Sequence, residues 1–207
     1  MLSEKAKIQG TPQNVKARLD IAYDVLKLMA AEKILPKRRR SYVVATSAVL
    51  DLIRKNPFWE LKKVFISAKE ACEVCALGAM FVADIRRNSD YTCDKTVERA
   101  PIYSNNDLES KEITPDRGAN RRLRSIFNSS ELEDIEAAFE AFSGTDHRHP
   151  TYLTENANAN QKLTFLMHNI IWNNGYFSNY NWPPADYIPH VRIAKKKPKS
   201  NCLKVTT

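Results

Sequence analysis

The run from Ser67 to Arg87, Ser-Ala-Lys-Glu-Ala-Cys-Glu-Val-Cys-Ala-Leu-Gly-Ala-Met-Phe-Val-Ala-Asp-Ile-Arg-Arg, constrains the fold more than any other stretch of the chain. Val74 to Ala83 are ten consecutive apolar or small residues. That is about half the length a helix needs to cross a bilayer. A helix apolar on every side belongs in the middle of a core. Ser67-x-x-Glu70 has the form of a capping box, which predicts a buried central helix over about 68–86. Cys72, Ala76, Ala79 and Ala83 would lie on one ridge of it, small enough for a partner helix to approach closely.

A chain of 207 residues fits one domain and can bury a sizeable core without staples. It has only five glycines and neither G-x-G-x-x-G nor G-x-x-x-x-G-K-[ST], so the common phosphate-cradling loops are absent. The opening Met1-Leu-Ser-Glu-Lys-Ala-Lys is charged and has no apolar h-region, so no secretory signal is expected. Four irregularly spaced cysteines do not make a disulfide framework, and a reduced cytoplasmic protein is the expectation. The formal charge of +8 comes mainly from the segment Arg192 to Lys204, which has six positive residues and no acidic one. The rest of the chain is near +2, so the basicity belongs to a tail.

Thr11-Pro12 reads as a cap with proline at the first helical position. Val15, Leu19, Ala22, Leu26 and Met29 then recur at helical spacing, which predicts an amphipathic helix from about 12 to 35. The segment 41–54 carries β-branched Val43, Val44, Thr46 and Val49 but later acquires helical spacing, and a helix is expected. Residues 58–66 suit a short helix or an extended lead-in. Residues 88–120 form a long polar excursion. Ser130-x-x-Glu133 is a second capping box, opening a helix with Leu132, Ile135, Ala138 and Phe139, and its acids Glu131, Glu133, Asp134 and Glu136 read as an exposed face. Residues 160–172 give another helix, with Gly175 placed for a left-handed cap. The expectation is a mainly α compact domain, 1–190, of five or six helices around the central one, followed by a flexible basic tail, 191–207.

Motifs for chemistry are sparse. Cys72-Glu-Val-Cys75 falls inside the expected central helix, where buried cysteine packs as a small hydrophobe. No second cysteine pair or H-x-x-x-H accompanies it to complete a zinc site. Asp146-His147-Arg148-His149 is a lone histidine cluster and reads as a solvated loop. No metal and no cofactor is therefore expected, and no catalytic residues are assigned. Three basic clusters could neutralise phosphates: Lys37, Arg38, Arg39 and Arg40; Arg121, Arg122 and Arg124; and Lys195, Lys196 and Lys197. The aromatic residues Tyr176, Phe177, Tyr180, Trp182 and Tyr187 follow the last helix and could stack on bases or bind a protein.

Three segments carry a resemblance. They are Cys75-Ala-Leu-Gly-Ala79, the stretch Ser125-Ile-Phe-Asn-Ser-Ser-Glu-Leu-Glu-Asp-Ile-Glu-Ala-Ala-Phe-Glu140, and Leu166-Met-His-Asn-Ile-Ile-Trp-Asn-Asn-Gly-Tyr-Phe177. In that order they are similar to a loose group of small uncharacterised proteins encoded by bacteriophages and their hosts. Those share a C-x-L-G-A helix, an I-F-S-x-x-Q-L-x-x-I-E-x-A-F-E segment and a closing N-I-I-x-N-x-G-x-F. This chain has Glu131 where the group has glutamine. The resemblance implies a phage-type accessory protein acting in a bacterial cytoplasm and brings no catalytic residues with it. The resulting expectation is a non-enzymatic protein that binds a host or defence protein through the 88–120 excursion and through Tyr176, Phe177, Tyr180, Trp182 and Tyr187, with no membrane partner. The alternative is sequence-indifferent nucleic-acid binding through the basic clusters and the tail.

Overall fold

A computed structural model describes residues 12–38, 43–56, 59–88, 110–113, 123–140, 157–184 and 187. Most of the excursion 88–120, the histidine cluster at 146–149 and the tail 191–207 lie outside the described residues.

Helix α1, Pro12–Ala30, is followed by strand β1, Ile34–Pro36, then β2, Val43–Thr46, and helices α2, Ser47–Lys55, and α3, Leu61–Ser67. Strand β3, Cys72–Val74, leads into α4, Ala76–Arg87. Strand β4, Ser110–Ile113, and helices α5, Ser129–Glu140, and α6, Ala159–Trp172, complete the described elements. The protein is mainly helical, but it also has a small sheet that the hydrophobic pattern does not announce. Its order is β1-β3-β2-β4. Strand β3 runs parallel to β1 and antiparallel to β2, which also pairs antiparallel with β4.

The sheet corrects three expectations. First, the apolar run around Val74 is divided. Cys72 and Val74 are buried in β3, and the helix starts only at Ala76. Ser67 ends α3 and caps nothing downstream. The cap of α4 is Cys75, whose Sγ accepts the Gly78 N–H at 3.3 Å. Second, 43–46 is strand and not helix. Val43 pairs with Val74 on one side and Ile113 on the other, and its β-branched neighbours suit that buried position. The helical spacing in the later part of 41–54 belongs to α2. Third, α1 stops at Ala30. Glu32 takes a left-handed φ of 52°, its N–H bonds Met29 O at 3.0 Å and the Lys33 N–H bonds Leu28 O at 2.9 Å, a Schellman closure. The chain then enters β1, where Pro36 is tolerated because the strand lies at the sheet edge.

Helix α4 keeps the central role. Nine of its residues, from Ala76 to Ile85, are buried, and it packs on α1, α3, α5 and strands β1 and β3. On the surface Arg87 ties the end of α4 to α1, with Nη1 2.8 Å from Asp20 and Nη2 2.6 Å from Asp24. Helix α1 packs most extensively on α6, and α5 bridges α4 and α6.

The cap of α5 lies two residues upstream of the expected one. Asn128 Oδ1 accepts the Glu131 N–H at 2.7 Å, and Glu131 Oε2 accepts the Asn128 N–H at 3.4 Å. Helix α6 opens on a capping box between Asn158 and Gln161, both bonds at 2.9 Å. It closes on a Schellman motif in which Asn174, at φ 52°, holds the left-handed position expected of Gly175. The Asn174 N–H reaches Ile171 O at 3.1 Å and the Gly175 N–H reaches Ile170 O at 2.8 Å. Gly175 follows at φ 93°.

Candidate functional site

The chain leaving α6 is held against the body of the protein by buried polar groups. Arg18, on the face of α1 toward α6, has no exposed surface. Its Nε donates to Ile126 O at 2.6 Å, and its Nη1 donates to Glu131 Oε1 at 3.3 Å and Gly175 O at 3.4 Å. The guanidinium carbon lies 5.0 Å from the Phe127 ring centre and 4.9 Å from that of Tyr176. A cation removed from water is thus compensated by a carboxylate, two carbonyls and two aromatic faces.

Glu131 is the matching anion, and it is buried. This corrects the reading of the acids of α5 as an exposed face; Glu133, Asp134 and Glu136 do lie on the surface. Besides Arg18, Glu131 Oε1 accepts the Phe177 N–H at 2.8 Å. One side chain therefore completes the α5 cap, neutralises an α1 arginine and fixes the segment after α6.

Asn169, fully buried on α6, secures the next stretch. Its Nδ2 donates to Ser178 O at 2.9 Å and Asn181 O at 3.3 Å, and its Oδ1 accepts the Ser178 N–H at 3.0 Å. Asn173 Nδ2 adds bonds to Asn169 Oδ1 at 3.1 Å and Asn181 O at 2.9 Å. Asn181 Nδ2 returns one to Asn173 Oδ1 at 2.7 Å. These amides take the place of regular secondary structure for 176–182.

The five aromatic residues separate by role. Phe177 and Trp182 meet edge to face with centroids 5.7 Å apart, and both pack on the core. Tyr176 is half-buried over Arg18. Tyr180 is 85% exposed at the tip of the segment. Tyr187, 39% exposed, stands edge-on to Trp172 with centroids 4.4 Å apart, and Trp172 is itself 41% exposed. Trp172 Nε1 donates to Asn181 Oδ1 at 3.4 Å, joining this pair to the Tyr180 loop. The outward surface is thus Trp172, Tyr180, Asn181 and Tyr187. Trp172 was missed in the sequence because it closes the last helix and so stands outside the aromatic segment that follows it.

Beneath it lies His168, buried, with its ring edge-on to Tyr187 at 6.5 Å and its Nε2 without a hydrogen-bond partner among the described residues. Burial pushes its pKa below the usual imidazole value.

Of the basic groups singled out in the sequence, Lys37, Arg38 and Arg124 are described. Lys37 is half-exposed, 3.5 Å from Glu73. Arg38 Nη2 donates to Glu140 O at 3.1 Å, fastening β1 to the end of α5. Arg124 is exposed on the single helical turn at 123–126. Arg39, Arg40, Arg121, Arg122, Lys195, Lys196 and Lys197 lie outside the described residues. Cys72 and Cys75 are both free and buried, and burial pushes both thiols up to about 11. Cys75 sits at a helix N-terminus, the place where a dipole favours thiolate, yet desolvation outweighs the Gly78 N–H. Among the described residues no three His, Cys, Asp or Glu side chains are grouped as metal ligands.

A shallow groove of about 430 Å³ runs between α2 and the turn after α3, lined by Val49, Leu52 and Ala68 with Asp51, Lys55 and Glu70 at its margin. No helix among the described residues is long and apolar enough to cross a membrane. Comparison with protein-family models, with curated proteins and with solved structures gives no match to this chain.

Proposed function

We propose that this chain is a non-enzymatic binding protein of bacteriophage type that recognises a host or defence protein in the bacterial cytoplasm through the surface formed by Trp172, Tyr180, Asn181 and Tyr187. The observation that carries the reading is Tyr180, 85% exposed on a loop whose backbone is fastened by Asn169 and Asn173. An aromatic side chain has few torsions to freeze, and a preorganised loop has little entropy left to lose on association. Loops that merely connect elements have no need of a buried asparagine making three bonds to them. The choice of a host or defence protein as partner is supported by the likeness of the C-x-L-G-A, 125–140 and 166–177 segments to phage-encoded proteins.

The test is affinity capture from bacterial lysate with wild-type protein and with Tyr180→Ala, each with and without nuclease. A stoichiometric protein retained after nuclease and lost with Tyr180→Ala is the expected result. Capture that disappears with nuclease or moderate salt and ignores Tyr180→Ala would overturn the reading and move binding to the basic groups, Lys37 and Arg124 among them.

A further inference from the structure

Asn174-Gly175 is the one Asn-Gly pair in the chain, and it stands where the segment 176–182 leaves α6. Asn174 is exposed, and its carboxamide makes no hydrogen bond among the described residues. Gly175 is buried. Its N–H donates to Ile170 O at 2.8 Å, and its carbonyl accepts from Arg18 Nη1 at 3.4 Å.

We propose that Asn174-Gly175 is a site of spontaneous deamidation, held off by the closed end of α6, and that its conversion releases the segment 176–182. In the reaction the Gly175 nitrogen loses its proton and attacks Asn174 Cγ. Ammonia leaves, and a five-membered succinimide forms. Water then opens the ring at either carbonyl, giving aspartate or isoaspartate at 174. Ring closure is fastest before glycine, which has no side chain to crowd the attacking nitrogen. The folded chain opposes it twice. The nucleophile is tied to Ile170 O. Asn174 is also left-handed, at φ 52°. With ψ near about 47°, the usual left-handed value, Cβ stands almost opposite the next nitrogen, so the ring closes only after the cap opens. Local opening of this kind is the ordinary behaviour of loops and helix ends.

Conversion has a structural consequence. Isoaspartate routes the main chain through the side chain and adds a methylene before Gly175. The Ile170 O and Arg18 Nη1 bonds to Gly175 cannot then both keep their geometry. The new carboxylate also lies at the negative end of the α6 dipole. Neither step involves a host protein, so failure of the capture experiment leaves this site untouched.

The test is incubation of the purified full chain at neutral pH, followed by peptide mass spectrometry with the isoaspartyl product resolved chromatographically. A synthetic peptide spanning 168–180 is the unprotected reference. The folded chain is expected to convert at residue 174 at least about tenfold more slowly than the peptide. Asn169→Leu and the milder Glu131→Gln loosen 176–182 while leaving 173–175 as they are, and both are expected to speed conversion. Hydrogen exchange at the 176–182 amides is expected to be faster in the isoaspartyl chain than in fresh protein, and storage is expected to leave Asn174→Gly unchanged. A folded chain that converts at the peptide's rate, variants no faster than wild type, or an isoaspartyl chain that exchanges like fresh protein would each overturn the proposal.

Discussion

Arg18 and Glu131, 113 residues apart in the chain, meet inside the protein with Nη1 3.3 Å from the carboxylate. Neither is an ornament on a surface helix: the pair joins α1 to α5 and, through Gly175 O and the Phe177 N–H, both to the segment after α6. Removing one partner strands the other. Glu131→Ala is therefore expected to cost about 3–5 kcal/mol, because an arginine would be left buried without its anion. Glu131→Gln keeps an acceptor for the Phe177 N–H and should cost less. Urea unfolding of wild type and the two variants decides this: a Glu131→Gln midpoint equal to that of wild type would show that the charge contributes nothing, and equal midpoints for the two variants that the retained acceptor contributes nothing.

Gly175 gives a second test at the same junction. Its φ of 93° is a conformation L side chains rarely adopt, and an added Cβ would lie 3.1 Å from Val15 O. Backbone strain and crowding against α1 act together, so Gly175→Ala is expected to destabilise by about 1–3 kcal/mol. Asn174→Gly, one residue earlier at φ 52°, relieves a left-handed residue and should be neutral or slightly stabilising. Thermal melting of both variants checks the contrast. An alanine tolerated at 175 would mean that the loop can leave α1 without penalty.

Much of the helical scaffold can be read in the sequence, because α1 and α6 have apolar stripes of several turns and the 76–85 stretch is apolar all round. The sheet is hidden because its strands are three or four residues long, too short for an alternating pattern to stand out beside helical spacing. Cys72–Val74 is the clearest instance: its burial was legible, its extended backbone was not, since only pairing with Ile34–Pro36 and Val43–Val44 decides it. The candidate site was half legible. The aromatic cluster after α6 is visible as composition, but sequence does not say that Phe177 and Trp182 turn inward while Tyr180 turns out. Arg18 and Glu131 were invisible, because a charged residue on an amphipathic helix is ordinarily solvated.

Stability should fall on both sides of neutrality for identifiable reasons. Burial holds the Cys72 and Cys75 thiols at about 11 against an ordinary 9.0. A raised folded pKa means that the unfolded chain loses its protons first. The thiols' contribution is then complete below about pH 9 and is lost between about 9 and 11. His168 works the other way. Its folded pKa lies below the ordinary 6.5, so the unfolded chain takes up the proton first and stability falls as pH drops below about 6.5. Glu136, raised by burial and by Glu140, opposes this at the acid end, so the histidine is isolated by difference. Melting temperatures measured in reductant from pH 5 to 10.5 should show both limbs, with Cys72→Ala flattening the alkaline one and His168→Leu the acid one. Unchanged slopes in these variants would assign the limbs to other groups.

Asn169 is the residue on which the exposed loop depends most. Its amide nitrogen donates to Ser178 O and Asn181 O, and its oxygen accepts from Ser178 and Asn173. Asn169→Leu would preserve volume but leave these groups to find water, at an expected cost of about 2–4 kcal/mol. Asn169→Asp is more informative. The aspartate still accepts the Ser178 N–H, but in place of the NH₂ group it sets a carboxylate against the Ser178 and Asn181 carbonyls, so the penalty should shrink as acid protonates it. Hydrogen exchange at the 176–182 amides reads the local effect. Faster exchange in both variants, partly reversed for Asn169→Asp at low pH, is the expected outcome. Exchange confined to wild-type rates would mean that the loop is held by Glu131 and the Phe177–Trp182 contact alone, and that Tyr180 is presented without the help of α6.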